Sequence, residues 1–246
     1  MTKLNVLIIG ATSAIAEEIC KLFAINDNAN LFLVGRSRDK LDAIADELRI
    51  LGANSIKKYY ADLALLGEHN ELIEDIFKNG IDHVIIAHGS LTDEELARKN
   101  IKYALEELNL NLTSYVSLSL LIANKLETQK HGSLTLIGSV AGDRGREKVC
   151  LYGCAKSGLS SLGQALAQRL GKIGINVLTV KPGLIDTPMT KAYKTNALIY
   201  PAKKAGLDIY KAIKSKQKII YTPWFWRYIM LVIRLLPQNI FLKTKF

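Results

Sequence analysis

Tyr152 and Lys156 stand four residues apart in Tyr152-Gly153-Cys154-Ala155-Lys156, and Ser139 precedes the tyrosine by thirteen residues, in Ile137-Gly138-Ser139-Val140-Ala141-Gly142. On a helix, a spacing of four puts the phenol and the ammonium on one face. An ammonium beside a phenol favours the phenolate and lowers its pKa, as a proton donor to a developing alkoxide requires. A serine hydroxyl within reach can orient a carbonyl oxygen. The three side chains together suit proton transfer at a carbonyl or an alcohol.

Such a trio needs a frame that brings a strand end to a helix start. The 246-residue chain alternates short β-rich apolar runs with longer stretches of helical period. Strand patterns cover residues 4–9, 31–34, 55–60, 83–87, 134–137 and 176–180, and helix patterns cover 14–25, 39–51, 65–77, 101–126 and 151–170. Residues 218–221 read as a last strand. Strands that are apolar nearly throughout, separated by helices, indicate a parallel sheet covered on both faces. The expected fold class is therefore α/β: a Rossmann-like, doubly wound, mostly parallel sheet of about seven strands with helices on both faces. Residues 1–190 form the catalytic part, and 191–246 add a substrate lid, the last strand and a basic amphipathic helix to the same domain. Ligands of such sheets bind beyond the carboxyl ends of the strands, so the residues following each strand carry the information.

After the first strand, Gly10-Ala11-Thr12-Ser13-Ala14-Ile15-Ala16 is a run of small residues opening a helix. Small side chains let the backbone approach a pyrophosphate, and a helix N-terminus supplies unpaired N–H groups, which makes Gly10, Thr12, Ser13 and Ile15 candidates for dinucleotide contact. The second strand ends in Val34-Gly35-Arg36-Ser37-Arg38. No acid is present there to accept from a ribose 2′-hydroxyl, whereas Arg36 and Arg38 could grip a 2′-phosphate, so NADP(H) is preferred over NAD(H). Asp62, followed by Leu63, is placed to meet the adenine, and Gly89 in Ala87-His88-Gly89 allows close approach beside the adenine ribose. His88 reads as a wall of the pocket.

At these residues the chain resembles the short-chain dehydrogenase/reductase superfamily, over residues 3 to 190. The resemblance rests on the Gly10 turn, Asp62, Gly89, Asn111, Ser139, the Tyr152/Lys156 pair, and Pro182-Gly183 followed by Thr187. It implies that Tyr152 is the general acid/base, that Ser139 orients the carbonyl or hydroxyl, and that Lys156 tunes Tyr152 and binds the nicotinamide ribose. It further implies that Asn111 holds a water in the proton relay, and that the loop from Pro182 and Gly183 to Thr187 closes over the nicotinamide. Hydride transfer itself belongs to the cofactor. Three departures from the family pattern stand out: Ile9 in place of a Thr, Ala14 and Ala16 in place of glycines, and Ala87-His88-Gly89 in place of Asn-Ala-Gly. Each alanine is expected to add a methyl near the pyrophosphate. The 101–126 and 151–170 helices resemble those through which the family assembles, implying a homo-oligomer.

With 49% hydrophobic and 23% charged residues, the chain is neither disordered nor collagen-like. Its net charge of +10 is unevenly spread. Residues 1–190 carry 21 basic and 22 acidic side chains, whereas 191–246 carry 12 basic ones and the single acid Asp208. Three cysteines, with no leader-like segment before the first strand, suggest a reducing, cytoplasmic setting. Cys150 and Cys154 read as small buried side chains and no metal site is expected. In the basic part, Lys191, Lys194, Lys203 and Lys204 punctuate the lid and would suit an anionic substrate. Beyond Pro223, the run from Trp224 to Leu236 is apolar or aromatic except for Arg227 and Arg234. At about 20 Å it is too short to span a bilayer, and it reads as a helix in the membrane interface, with Ile240, Phe241, Leu242 and Phe246 as a second foothold. The competing reading packs it on the domain or across a dimer interface. Its aromatics lie within aliphatic helix rather than among the lysines, which argues against nucleic acid.

This ending resembles the reductase subunit of decaprenylphosphoryl-ribose 2′-epimerase and its bacterial cell-envelope relatives. That resemblance implies a polyprenyl-phosphate-sugar substrate, a flavin-dependent oxidase partner and a peripheral position on the inner membrane face. The expected function is an NADPH-dependent reductase of a lipid-linked or otherwise amphiphilic carbonyl compound. The alternative is a catalytically silent, membrane-associated scaffold or sensor that binds NADP(H).

Overall fold

The computed structural model describes residues 3–193 and 198–244. In chain order the elements begin with β1 (Asn5–Ile9), α1 (Ala14–Asp27), β2 (Asn30–Gly35), α2 (Arg38–Ile50), β3 (Ser55–Tyr60), α3 (His69–Phe77) and β4 (His83–Ile86). Then come α4 (Glu94–Lys99), α5 (Ile101–Leu108), α6 (Ser114–Gln129), β5 (Ser133–Ile137), α7 (Cys150–Gly171) and β6 (Asn176–Pro182). The chain continues through β7 (Ile185–Asp186), β8 (Tyr200–Pro201), α8 (Ala202–Lys214), β9 (Ile219–Thr222), α9 (Trp226–Leu235) and α10 (Gln238–Phe241).

Seven strands form one sheet in the order β3-β2-β1-β4-β5-β6-β9, and β7 pairs with β8 in a separate ribbon. Every pairing in the sheet is parallel, with Val6 opposite both Leu31 and His83 at its centre. Alternate strand residues feed two cores. Val6, Ile8, Leu31 and Leu33 meet α1, α2 and α8 on one face, while Leu7, Ile9, Val84 and Ile86 meet α3, α6 and α7 on the other. Burial on both faces is why these strands are apolar throughout instead of alternating. The strand order reverses between β1 and β4, so the crevice for a ligand opens there.

Three features depart from the sequence expectation. The 101–126 helix is interrupted: α5 starts on Asn100, whose Oδ1 accepts from the Tyr103 N–H at 3.1 Å, and Asn109–Thr113 form a π-helical turn before α6. Such turns interrupt the regular ladder and often mark functional positions. Second, α8 fills the space beside α1, where Ala205, Ile209, Ala212 and Ile213 join the core at helical spacing. Third, α9 buries Trp226, Met230 and Ile233 against Val140. Its other side leaves Tyr228, Leu231, Val232 and Leu235 exposed. The helix is thus apolar on two sides, one packed on the domain and one facing out. Cys150 and Cys154 are exposed, and only Cys20 is buried, because at this end of α7 the residues that meet the protein interior are Gly153, Ala155 and Lys156.

Candidate active site

A cavity of about 1050 Å³ runs along the carboxyl ends of the strands. Ser139 follows β5 and Tyr152 and Lys156 sit in the first turns of α7, and all three side chains line it. The Ser139 hydroxyl lies near enough to the Tyr152 phenol to lower its proton affinity, and it accepts from the Ala141 N–H at 3.1 Å. The start of α7 is held from a distance. The Glu94 carboxylate accepts from the Leu151 N–H at 3.0 Å and the Tyr152 N–H at 3.1 Å, so α4 caps the helix that carries the tyrosine.

Lys156 is buried, with its Nζ 4.7 Å from the Tyr115 ring centre and 5.6 Å from that of Tyr152. Burial lowers its ammonium to about 8. Burial also pushes the Tyr152 phenol up to about 12, with the Ser139 hydrogen bond acting in the opposite direction. Against the expectation that the ammonium sets the phenol below its usual value, burial is the largest influence on Tyr152. The arrangement therefore holds Tyr152 as a protonated donor.

Asn111 lies in the π-helical turn. Its Nδ2 donates to the Glu107 carbonyl at 3.1 Å and to Ser90 Oγ at 3.2 Å, and its Oδ1 accepts from the Ser90 N–H at 3.2 Å. Glu107 accepts from Ser90 and Thr92 as well, at 2.7 and 3.1 Å. Tightly held Asn111 touches Gly89, where an added Cβ would fall 2.7 Å from its Oδ1, at a backbone φ of +141°.

On the cofactor side, Gly10 has φ +82° and a Cβ there would lie 2.5 Å from the His88 backbone nitrogen. Only glycine leaves the turn between the ends of β1 and β4 this tight. Thr12, Ser13 and Ile15 continue the wall into α1, whose N-cap Ser13 makes no side-chain cap and leaves the first N–H groups for a ligand. Ala14 lines the cavity, but Ala16 points into the core, so only one of the two alanines places its methyl near a pyrophosphate. Asp62 and Leu63 line the far end, with Asp62 accepting from the Ala64 N–H at 3.0 Å.

Arg36 and Lys40 line this end of the cavity, whereas Arg38 does not. Its guanidinium stacks over the Tyr60 ring at 4.6 Å instead. Helical geometry explains the exchange: Arg36 precedes α2 and Lys40 lies one turn below it, while Arg38 projects toward β3. The sequence reading missed Lys40, whose spacing of four from Arg36 was the available signal. Small-residue cradle, free helix N-terminus and paired cations fit a dinucleotide carrying a 2′-phosphate.

His88 is a wall, as expected. Ser114 Oγ donates to the Leu110 carbonyl at 2.7 Å, so it accepts from His88 Nε2 at 2.6 Å. Burial and the Lys156 charge push the imidazole down to about 3, which keeps it neutral.

Pro182, Gly183 and Thr187 line the opposite wall. A Cβ on Gly183 would fall 1.9 Å from Trp226 Nε1, so the α9 indole rests on this loop. Trp226, read from sequence among the membrane-facing aromatics, is instead part of the cavity wall. The tail is tied to the Ser139 loop by Arg144, which donates to the Leu236 carbonyl at 2.7 Å and to Gln238 Oε1 at 3.0 Å. Lys203 and Lys204 are exposed on α8 and do not line the cavity. Lys194 and Phe246 lie outside the described residues, and Lys191 falls in the short helical stretch Pro188–Tyr193.

Comparison with known proteins gives a consistent picture. The sequence profile of a family described as short chain dehydrogenase matches residues 4–198. An uncharacterized oxidoreductase of Mycobacterium tuberculosis is 28% identical over 235 residues, covering 95% of this chain and 94% of its own. Among solved structures, the fold is shared with a short-chain dehydrogenase from Sphingobium yanoikuyae in complex with NADPH. Its TM-score is 0.83 at 22% identity, covering 96% of this chain and 97% of that one. It is shared also with the bulky-bulky ketone specific alcohol dehydrogenase from Comamonas testosteroni, with a TM-score of 0.81 at 23% identity and 96% of each chain covered.

Proposed function

The chain belongs to the short chain dehydrogenase family and is an NAD(P)-dependent oxidoreductase, and from that premise we propose that it reduces the carbonyl of an amphiphilic substrate with NADPH, reversibly in principle. The observation that carries this reading is the convergence of Ser139, Tyr152 and buried Lys156 in one cavity with the Gly10 turn and Arg36. When bound, the nicotinamide supplies the hydride. Ser139 orients the carbonyl oxygen, Tyr152 gives it a proton, and Lys156 holds positive charge beside the phenol as that proton leaves. Asn111, fixed by Ser90 and Glu107, keeps the wall next to Lys156 in place. Arg36 and Lys40 support a preference for the 2′-phosphate of NADPH, the cofactor present in the Sphingobium neighbour.

Replacing Tyr152 by Phe removes the donor and leaves the dinucleotide cradle intact. Turnover with a carbonyl panel is expected to fall by about 10²- to 10⁴-fold. NADPH affinity, followed by its fluorescence on binding, should stay within about twofold. Turnover equal to wild type refutes the assignment, and NADPH binding without hydride transfer in the wild type favours a silent scaffold.

The apolar outer side of the tail supports the amphiphilic part of the reading. Trp224, Val232, Leu235 and Leu242 are each more than 60% exposed, beside Arg227, Arg234 and Lys243. Apolar side chains bordered by cations suit an anionic bilayer, from which a lipid-linked carbonyl such as a polyprenyl-phosphate sugar would be drawn. No helix of the described residues is long and apolar enough to cross a membrane. Co-sedimentation with phosphatidylglycerol vesicles, lost on changing Val232 and Leu235 to Ser, tests the surface. Vesicle binding unaffected by both changes refutes it.

A further inference from the structure

Arg146 lines the cavity together with Lys148 and Val149, on the stretch between Ser139 and Tyr152. It is half-buried, and its Nε is enclosed without a hydrogen-bond partner. Among the described residues no carboxylate pairs with its guanidinium. The carboxylate whose field reaches it is that of Asp143, and both oxygens of that group are taken: Lys181 Nζ binds Oδ1 and the Tyr221 hydroxyl binds Oδ2 at 2.7 Å. A second enclosed donor without a partner, Trp226 Nε1, belongs to the same cavity and comes from α9. An enclosed Nε–H without an acceptor is costly, because that donor forfeits hydration with nothing in exchange. Positive charge and unused donors in one wall are what a ligand with a carboxylate or phosphate satisfies, and the planar fork of arginine can bind either in bidentate fashion.

We propose that Arg146 is the recognition site for an anionic group on the substrate, so that the preferred carbonyl compounds carry a carboxylate or a phosphate. The proposal rests on the reductase reading above and names its substrate class. It moves the anion site from the lid lysines suggested by composition to the loop between Ser139 and Tyr152, where the cavity walls place the charge.

The test compares matched pairs under saturating NADPH: benzoylformate with its methyl ester, and hydroxyacetone phosphate with hydroxyacetone. Wild type should favour the anion of at least one pair in kcat/KM, and the pair that responds distinguishes carboxylate from phosphate. Arg146→Met should lower the ratio of anion to neutral kcat/KM by about 10- to 100-fold, the worth of a charge-assisted hydrogen bond pair, and Arg146→Lys should restore part of it. A ratio that stays within about twofold in Arg146→Met, or a wild-type preference for the neutral member of both pairs, overturns the proposal. If none of the four compounds is reduced, the loss falls on the choice of reaction, and binding decides the site. Inorganic phosphate titrated against the tryptophan fluorescence of the NADP⁺-saturated protein should bind wild type and fail to bind Arg146→Met. Equal binding by both overturns it.

Discussion

Lys156→Met is expected to stabilise the folded chain while removing its activity. The side chain is 3% exposed, and burial alone lowers its ammonium from 10.5 to about 8. At about 1.4 kcal/mol per pH unit, that difference costs the folded state about 3 kcal/mol at pH 7. Contact with the Tyr115 ring, 4.7 Å from Nζ, offsets part of this, by about 1 kcal/mol. Methionine keeps most of the volume of the lysine stem and none of its charge, so the variant should gain about 1 to 2 kcal/mol. For a chain of this size that raises Tm by about 2 to 8 °C. The pH dependence has a definite sign. Because the folded pKa lies below the unfolded one, the penalty is complete below about 8 and fades as pH rises toward 10.5, where both states release the proton. At pH 9.5 the folded amine is already uncharged and has no cationic contact with the ring to lose, so about 1.4 kcal/mol of penalty remains and the advantage of the variant should fall from about 2 to about 1 kcal/mol. Urea unfolding followed by tryptophan fluorescence at pH 7 and pH 9.5 measures both quantities. A variant less stable than wild type at pH 7, or a difference that does not change with pH, refutes the argument that Lys156 is held in an unfavourable position for the sake of chemistry.

Arg36→Leu should reduce the kcat/KM preference for NADPH over NADH by about 10- to 100-fold, whereas Arg38→Leu, which only uncovers Tyr60, should change it by less than about twofold; equal effects refute the placement of the two side chains. Glu94→Ala removes the acceptor for the Leu151 and Tyr152 N–H groups and should cost about 1 to 2 kcal/mol in urea unfolding. Hydrogen exchange in the first turn of α7 should quicken in that variant, kcat should fall more than KM changes, and Glu94→Gln should recover part of each. Unaltered exchange at those amides means that α4 does not hold the helix.

The strands and most helices were legible because their signal lies within a few neighbouring residues. Short apolar runs bounded by turn residues fit strands buried on both faces, and apolar residues three and four apart fall on one helical stripe. The same holds for the Tyr152 and Lys156 pair, which shares a helix face whatever the rest of the chain does. By contrast, the stripe of Ala205, Ile209 and Ile213 in α8 is diluted by the lysines around them, which locally resemble a solvated surface. The interruption at Asn109–Thr113 leaves no local mark, since nothing in Asn109-Leu110-Asn111-Leu112-Thr113 forbids a regular helix. It is selected by the bonds Asn111 makes to Ser90, twenty-one residues away.

By itself, then, the sequence determined the doubly wound α/β frame, the positions of Ser139, Tyr152 and Lys156 at its strand end and helix start, and the cationic bias of the dinucleotide site. Only the tertiary structure decided which cation faces the cavity, Arg36 and Lys40 or Arg38, because that depends on where α2 lies against β3. It also decided that Trp226 belongs to the cavity wall, that Glu94 reaches 57 residues along the chain to cap α7, and that no carboxylate among the described residues pairs with Arg146. The proton affinity of Tyr152 belongs with these. Spacing brings the lysine near, but the enclosure that raises the phenol is a property of every element packed around it. Periodicity is local and can be counted along the chain, whereas desolvation and the choice of partner are set by groups that only folding brings together.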